Sequence, residues 1–211
     1  MPQIDSTLDY CLNHSSPLGG ILRDLERETH LRTLGPQMLS GEYQGQLLRF
    51  LSLMLRPMRV LEIGTFTGYT AICMAEGLAE GGLLHAIEAN DELGWLIQKY
   101  VNLAGMEKKI VLHLGDAAKV IPTLDEVFDL VFLDAGKLDY PAHYELALAK
   151  IRSGGFLLAD NVLWDGKVAS ENERDETTRV LRAFNDFVQH DERVENLLLP
   201  LRDGLMIVRK R

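Results

Sequence analysis

The sequence predicts an α/β fold in which a doubly wound, mostly parallel seven-stranded sheet ends in an antiparallel hairpin, with extra helices ahead of it. Three observations predict this. From Arg59 onward, short apolar runs alternate with stretches of helical periodicity, the pattern of a parallel sheet with right-handed crossovers. Two of the runs, Phe128–Leu133 and Gly155–Ala159, are mostly apolar, as strands buried on both faces must be. The last two, Val194 to Leu199 and Leu205 to Val208, are joined through Asp203-Gly204, a turn dipeptide, so one of them runs against the rest.

Residues 1–55 read as helices. Leu18, Ile21, Leu22 and Leu25 recur at helical spacing, and the stretch from Gly45 to Leu55 is apolar on most faces, which suits packing on a sheet. Arg59–Ile63 is the first strand, and a helix follows Gly68. Leu83–Glu88 is the second strand, with a helix from about Asp91 to Leu103. Ile110–Leu114 is the third, Leu130 to Asp134 the fourth and Phe156 to Asp160 the fifth. A helix from Ala142 to Ile151 is expected to stop at Gly154-Gly155, because glycine favours helix ends. Another, from about Glu173 to Gln189, precedes the hairpin. No linker or repeat divides the 211 residues, which suffice for one sizeable core, so residues 1–211 are expected to form a single domain. Residues 1–55 would pack on its sheet and shape the substrate site.

Composition narrows the functional classes. A net charge of −9 argues against a nucleic-acid binder, which normally shows a basic face. No apolar stretch approaches the roughly 20 residues that cross a bilayer, so no membrane role is expected. Met1-Pro2-Gln3-Ile4-Asp5 lacks the basic and apolar sections of a secretory signal. Cys11 and Cys73 are far apart and outside any paired motif, which points to a reduced, cytoplasmic setting.

The segment Glu62-Ile63-Gly64-Thr65-Phe66-Thr67-Gly68-Tyr69-Thr70 links the first strand to the next helix. Gly64 lets the chain turn closely past a ligand, and Gly68 relieves crowding at the helix start. The spacing is not the Gly-x-Gly-x-x-Gly of dinucleotide folds, because Phe66 stands where the second glycine would be. Glu62 adds a negative charge that suits a sulfonium or an amine and opposes a phosphate. Taken alone, the loop reads equally well as a plain tight turn. Glu88 ends the second strand about 20 positions beyond it, the spacing used for ribose recognition. Gly115-Asp116-Ala117-Ala118 ends the third strand, where a polar group can meet an adenine edge.

Asp134 and Asp160-Asn161 each sit where an apolar run stops, and ligands of open α/β sheets collect at such strand ends. Two carboxylates and an amide oxygen suit Mg²⁺, Mn²⁺ or Ca²⁺. Lys137, three residues after Asp134, is a candidate base beside the ion. The plainer readings are an ion pair or helix cap for Asp134 and Lys137 and an Asx-turn for Asp160-Asn161.

On these motifs, together with Phe132-Leu133-Asp134-Ala135-Gly136-Lys137 and Asp160-Asn161-Val162-Leu163-Trp164, the chain resembles the cation-dependent O-methyltransferases that include the caffeoyl-CoA and catechol enzymes. These are class I S-adenosylmethionine-dependent methyltransferases of Rossmann-like fold. The likeness covers roughly residues 36 to 211. It implies metal ligation by Asp134, Asp160 and Asn161, with Mg²⁺ the first choice. It implies S-adenosylmethionine contacts from Glu62, Gly64, Thr65, Thr70, Glu88 and Ala117, with Ser40 near the methionine portion and Asp134 near its amino group. Lys137 matches the lysine that accepts the substrate's hydroxyl proton. Many members carry a second acidic residue where this chain has Gly136. The activity implied is methyl transfer to a hydroxyl of a small catechol-like diol, by a homodimer. Two alternatives stay open: a protein that binds cofactor and ion without turnover, and a nicotinamide-dependent oxidoreductase, disfavoured by the missing glycine.

Other residues carry less. Trp164 either walls an aromatic substrate or packs in the core. Tyr140 and Tyr144 are expected to pack helix on sheet, and Cys73 to be a small buried hydrophobe. His85, His113 and His143 show no metal spacing. Leu47, Leu48, Phe50 and Leu51 form an apolar helical face that serves the core or a dimer contact.

Overall fold

A computed structural model of the chain describes residues 6–211; residues 1–5, read above as lacking a secretory signal, lie outside them. Helices α1 (Ser6–Asn13), α2 (Gly20–Arg32) and α3 (Gly41–Leu55) come first. Then β1 (Arg59–Ile63), α4 (Tyr69–Ala75), β2 (Leu83–Glu88), α5 (Gly94–Leu103), β3 (Ile110–Leu114) and α6 (Ala117–Val120) alternate. They are followed by β4 (Phe128–Leu133), α7 (Tyr140–Lys150), β5 (Ile151–Asp160), α8 (Glu176–Gln189), β6 (Val194–Leu199) and β7 (Leu205–Lys210).

The seven strands form one sheet in the order β3-β2-β1-β4-β5-β7-β6. The first five are parallel, and β7 is antiparallel to both β5 and β6. Alternation along each strand feeds two apolar layers. Val60, Leu130, Phe132 and Leu158 face the core shared with α2 to α5, while Leu61, Val131, Leu133 and Leu157 face the core under α6 to α8. Burial on both faces is why the strands read as continuous apolar runs. The chain leaves β1 toward β2 on one side and returns to β4 on the other. The crevice beyond the carboxyl ends of β1 and β4 is therefore the switch point where ligands of such sheets bind.

One boundary differs from the sequence reading. Gly154-Gly155 does not end a helix; α7 stops at Lys150 and β5 begins at once at Ile151. Phe128 pairs with Ile151 and Leu130 with Phe156, so β5 has extra residues that bulge out. Gly154 takes φ +73°, and a Cβ on Gly155 would lie 2.6 Å from the Ile151 side chain and 3.1 Å from the Asp129 carbonyl. The pair is small because a bulge crowds it, not because a helix stops. Helix α8 also starts at Glu176 rather than Glu173, because the Asp175 carboxylate caps it by accepting the Thr178 N–H at 3.0 Å.

The N-terminal helices reach the cofactor loop. Thr29 of α2 donates to Thr67 at 3.0 Å with both side chains fully buried, and the Tyr100 hydroxyl donates to Glu28 at 2.7 Å. Leu22 and Leu25 are buried while Ile21 is 39% exposed, a narrower stripe than the spacing suggested. No helix among the described residues is long and apolar enough to cross a membrane.

Candidate active site

A cleft of about 980 Å³ runs along the carboxyl edge of the sheet, from Glu88 and Ala117 at one end to Trp164 and Asp203 at the other. That volume suits a nucleoside-sized ligand with a small second molecule beside it. Of the residues the sequence singled out, Ser40, Gly64, Thr65, Thr70, Glu88, Ala117, Asp134, Lys137 and Asn161 line it. Glu62 and Asp160 stand behind its wall, both almost wholly buried.

At the first end, the loop after β1 is fixed by its backbone. Gly64 and Thr65 both donate to the Ile87 carbonyl at 3.0 Å. Gly64 adopts φ +88°, and a Cβ there would fall 2.1 Å from the Asp134 carbonyl oxygen. Its smallness thus serves the contact between the β1 and β4 tips, where the sequence had suggested a passing ligand. Gly68, also at φ +88°, starts α4. The Glu88 carboxylate accepts the Phe66 and Asn90 N–H groups at 2.8 Å each. Burial pushes its pKa up, partly offset by those bonds. A carboxylate locked in this way, with acceptor capacity to spare, suits a pair of ribose hydroxyls. Ala117 follows Asp116, whose carboxylate caps the Ala118 N–H at 2.9 Å.

Glu62 is fully buried, and its Oε1 accepts the Thr70 hydroxyl at 2.5 Å. Its Oε2 and the Thr65 hydroxyl are buried without a well-formed hydrogen bond, though Thr65 still draws the carboxyl's pKa down. Burial dominates and pushes the pKa up to about 7, with Thr65 and Thr70 opposing and the charges of Asp134 and Glu88 adding to the rise. Between the ordinary value of 4.5 and about 7, the folded chain keeps a proton that the unfolded chain has lost. Stability therefore falls as pH rises through that window. Glu62→Gln is expected to be more stable than the parent near pH 8, by on the order of 2–3 kcal/mol, with no difference near pH 4. Urea unfolding at the two pH values checks this; equal slopes against pH would remove Glu62 as the cause.

The middle of the cleft is built by register. Leu133 pairs with Ala159, so Asp134, just past the end of β4, and Asp160, the last residue of β5, come side by side, neighbouring strands being about 4.8 Å apart. Asn161 follows with φ +57°, a conformation that asparagine tolerates, and this turns the chain out of the sheet. Burial and the facing charge of Asp134 push the Asp160 pKa up, while Lys137 and Arg202 pull against the shift. Two carboxylates facing each other under cover favour a cation between them. Among the described residues, no three His, Cys, Asp or Glu side chains gather as metal ligands; this group has two carboxylates and an amide.

Lys137 Nζ donates to Asp134 Oδ1 at 2.9 Å and to the Tyr140 hydroxyl oxygen at 2.6 Å. Tyr140 OH in turn donates to the Asp160 carbonyl at 2.8 Å. Tyr140 is fully buried, as helix–sheet packing requires, yet its hydroxyl also ties the β4 and β5 ends to the lysine. The sequence gives only the Lys137/Tyr140 spacing as a sign of this. Asp203 was read as a turn residue, yet it lines the cleft, and its Oδ1 accepts the Asp165 N–H. Trp164 lines the cleft and also packs against the α6–α8 core. His143 lines it as well, while His85 on β2 and His113 on the edge strand β3 contact each other at 3.0 Å.

Comparison with known proteins extends these observations. A protein named probable caffeoyl-CoA O-methyltransferase 2, from Dictyostelium discoideum, is 33% identical over 98% of this chain and 92% of its own length. The mouse catechol O-methyltransferase domain-containing protein 1 is 35% identical over the whole chain and 82% of its own length. Among solved structures, TomG from Streptomyces achromogenes, described as an O-methyltransferase in tomaymycin synthesis in complex with SAM, superposes with a TM-score of 0.91 at 27% identity. It covers all of this chain and 99% of its own. The sequence profile described as O-methyltransferase matches residues 12–211, so the likeness begins well before residue 36 and takes in α2 and α3. The chain belongs to the O-methyltransferase family.

Proposed function

We propose that the protein transfers a methyl group from S-adenosylmethionine to one hydroxyl of a small vicinal diol of catechol type, with a divalent cation, Mg²⁺ first, at Asp134, Asp160 and Asn161. The observation that carries this is the convergence of those three residues and Lys137 at the switch point, beside a cleft that continues to Glu88. When bound, the cofactor supplies an electrophilic methyl on a sulfonium and the ion supplies Lewis-acid polarisation of the acceptor oxygens. The residues do the rest. Glu88 holds the ribose and the Gly115–Ala118 turn faces the purine. Asp134, Asp160 and Asn161 present oxygens to the ion, and the buried Glu62 carboxyl, with its raised pKa, would give up its proton more readily beside a cationic cofactor. The neutral amine form of Lys137, held in place by Tyr140, takes the hydroxyl proton and becomes the ammonium. Trp164 walls the acceptor, so that orientation contributes much of the rate.

The acidic middle of the cleft fits both charges: buried carboxylates with a single ammonium among them are stabilised by a divalent ion and a sulfonium. Exposed Phe50 and Met54 on α3, at 50% and 70%, support a homodimer through that face. Two unpaired cysteines suit a cytoplasmic setting. The test is turnover of catechol with S-adenosylmethionine and Mg²⁺. Methylated product is expected, lost in excess chelator and restored by Mg²⁺. A rate indifferent to chelator would remove the ion from the reading, and no product from any diol would remove the activity.

A further inference from the structure

The acceptor end of the cleft is walled by carboxylates. Among the described residues that line the cleft, Lys137 is the only lysine or arginine, and it is already bonded to Asp134. Asp203 faces this end half-buried; burial above all, and then the charge of Asp165, push its pKa up, while the Asp165 N–H, Lys137 and Arg202 pull it down. The segment 165–179, which follows Trp164 and contributes Thr177 to the lining, carries Asp165, Glu171, Glu173, Asp175 and Glu176 against Lys167, Arg174 and Arg179.

Two guanidiniums near the mouth, those of Arg182 and Arg202, brace the protein itself. Arg182 donates to the carbonyls of Val168 at 3.0 Å and Ser170 at 2.9 Å, with weaker bonds to those of Lys167 and Glu173. Arg202 donates to the Ser40 carbonyl, bridging the β6–β7 loop to the start of α3. Phosphate recognition needs guanidinium or ammonium groups with donors to spare; Lys137 alone of these lines the cleft among the described residues, and Lys167, Arg174 and Arg179 on the mouth segment are outnumbered by its five carboxylates.

We infer that the acceptor is a vicinal diol whose remaining substituent is uncharged or an ammonium, and that diols carried on a polyanion such as coenzyme A are rejected by charge. This rests on the methyltransferase reading above and narrows its substrate class. Like-charge juxtaposition is an effective way to exclude a competing ligand, because it slows encounter and weakens the bound state together.

The test measures kcat/KM, with S-adenosylmethionine and Mg²⁺, for dopamine, catechol, protocatechuate and caffeoyl-CoA. The expected order is dopamine, catechol, protocatechuate, caffeoyl-CoA, spanning about 100-fold or more at low salt and narrowing as salt screens the mouth. The double variant Glu171→Lys/Glu173→Lys, on an exposed segment, is expected to shrink the catechol-to-caffeoyl-CoA ratio by about 5-fold or more. Caffeoyl-CoA equal to or better than catechol would overturn the inference and leave the methyltransferase reading standing. An order that salt and charge reversal leave unchanged would also overturn it, since shape would then be sorting the acceptors. No turnover of any of the four would sink both.

Discussion

Lys137→Ala is expected to lower kcat by about 10²–10⁴-fold, the usual contribution of a positioned general base, while leaving affinity for S-adenosylhomocysteine within about two-fold. The split follows from position. Nζ is held between Asp134 Oδ1 and the Tyr140 hydroxyl, away from Glu88, where the ribose is proposed to bind. Removing it takes away a proton acceptor without touching the purine or ribose contacts. Lys137→Arg separates proton transfer from charge. A guanidinium keeps the positive charge but does not give up its proton, so the arginine variant is expected to be nearly as slow as alanine. Single-turnover rates with calorimetry of the product cofactor check both. A rate unchanged in the alanine variant removes Lys137 as base, and a rate recovered by arginine makes its role electrostatic.

Gly64→Ala is expected to cost about 3 kcal/mol or more of stability and to disable the site. Its Cβ would stand 2.1 Å from the Asp134 carbonyl oxygen and 2.8 Å from the carbonyl carbon, and the backbone at φ +88° is itself unfavourable for alanine. Neither group moves cheaply, because Asp134 N–H donates to Ile63 O at 2.9 Å and both lie at paired strand ends. Gly166→Ala is the control. That glycine also has a positive φ, +75°, but open space where the Cβ would go, so only the conformational cost of about 1 kcal/mol is expected. Denaturant unfolding of the two variants decides: equal losses would mean that the close approach of the β1 and β4 tips is not what makes Gly64 glycine.

The sheet was largely legible because the strands are buried on both faces and therefore interrupt the helical periodicity cleanly. Arg59–Ile63, Leu83–Glu88 and Ile110–Leu114 stand where the apolar runs put them. The start of β5 was not legible, because Ile151-Arg152-Ser153-Gly154-Gly155 carries the residues of a helix end. Only pairing with Phe128 shows it to be a bulged strand. The site divides in the same way. Asp134 and Asp160 could be placed side by side from strand ends alone, since neighbouring parallel strands bring such ends together. The burial of Glu62 behind Thr70, the reach of Tyr140 to Lys137 and the position of Asp203 depend on packing between elements distant in sequence, which no local pattern records.

The place of β7 has a consequence for how the molecule comes into being. It lies between β5 and β6 although it is made after both, and the loop before it holds the segment after Asn161: Val162 N–H donates to Gly204 O, and Leu163 N–H to Asp203 O at 2.8 Å. A nascent chain emerging from the ribosome exposes β1 to β5 well before β7 exists. The Asn161 end of the cleft must wait for β7 to thread into its slot between β5 and β6. Translation thus leaves the Asn161 turn without its backbone partners until the Asp203-Gly204 loop and β7 have been made.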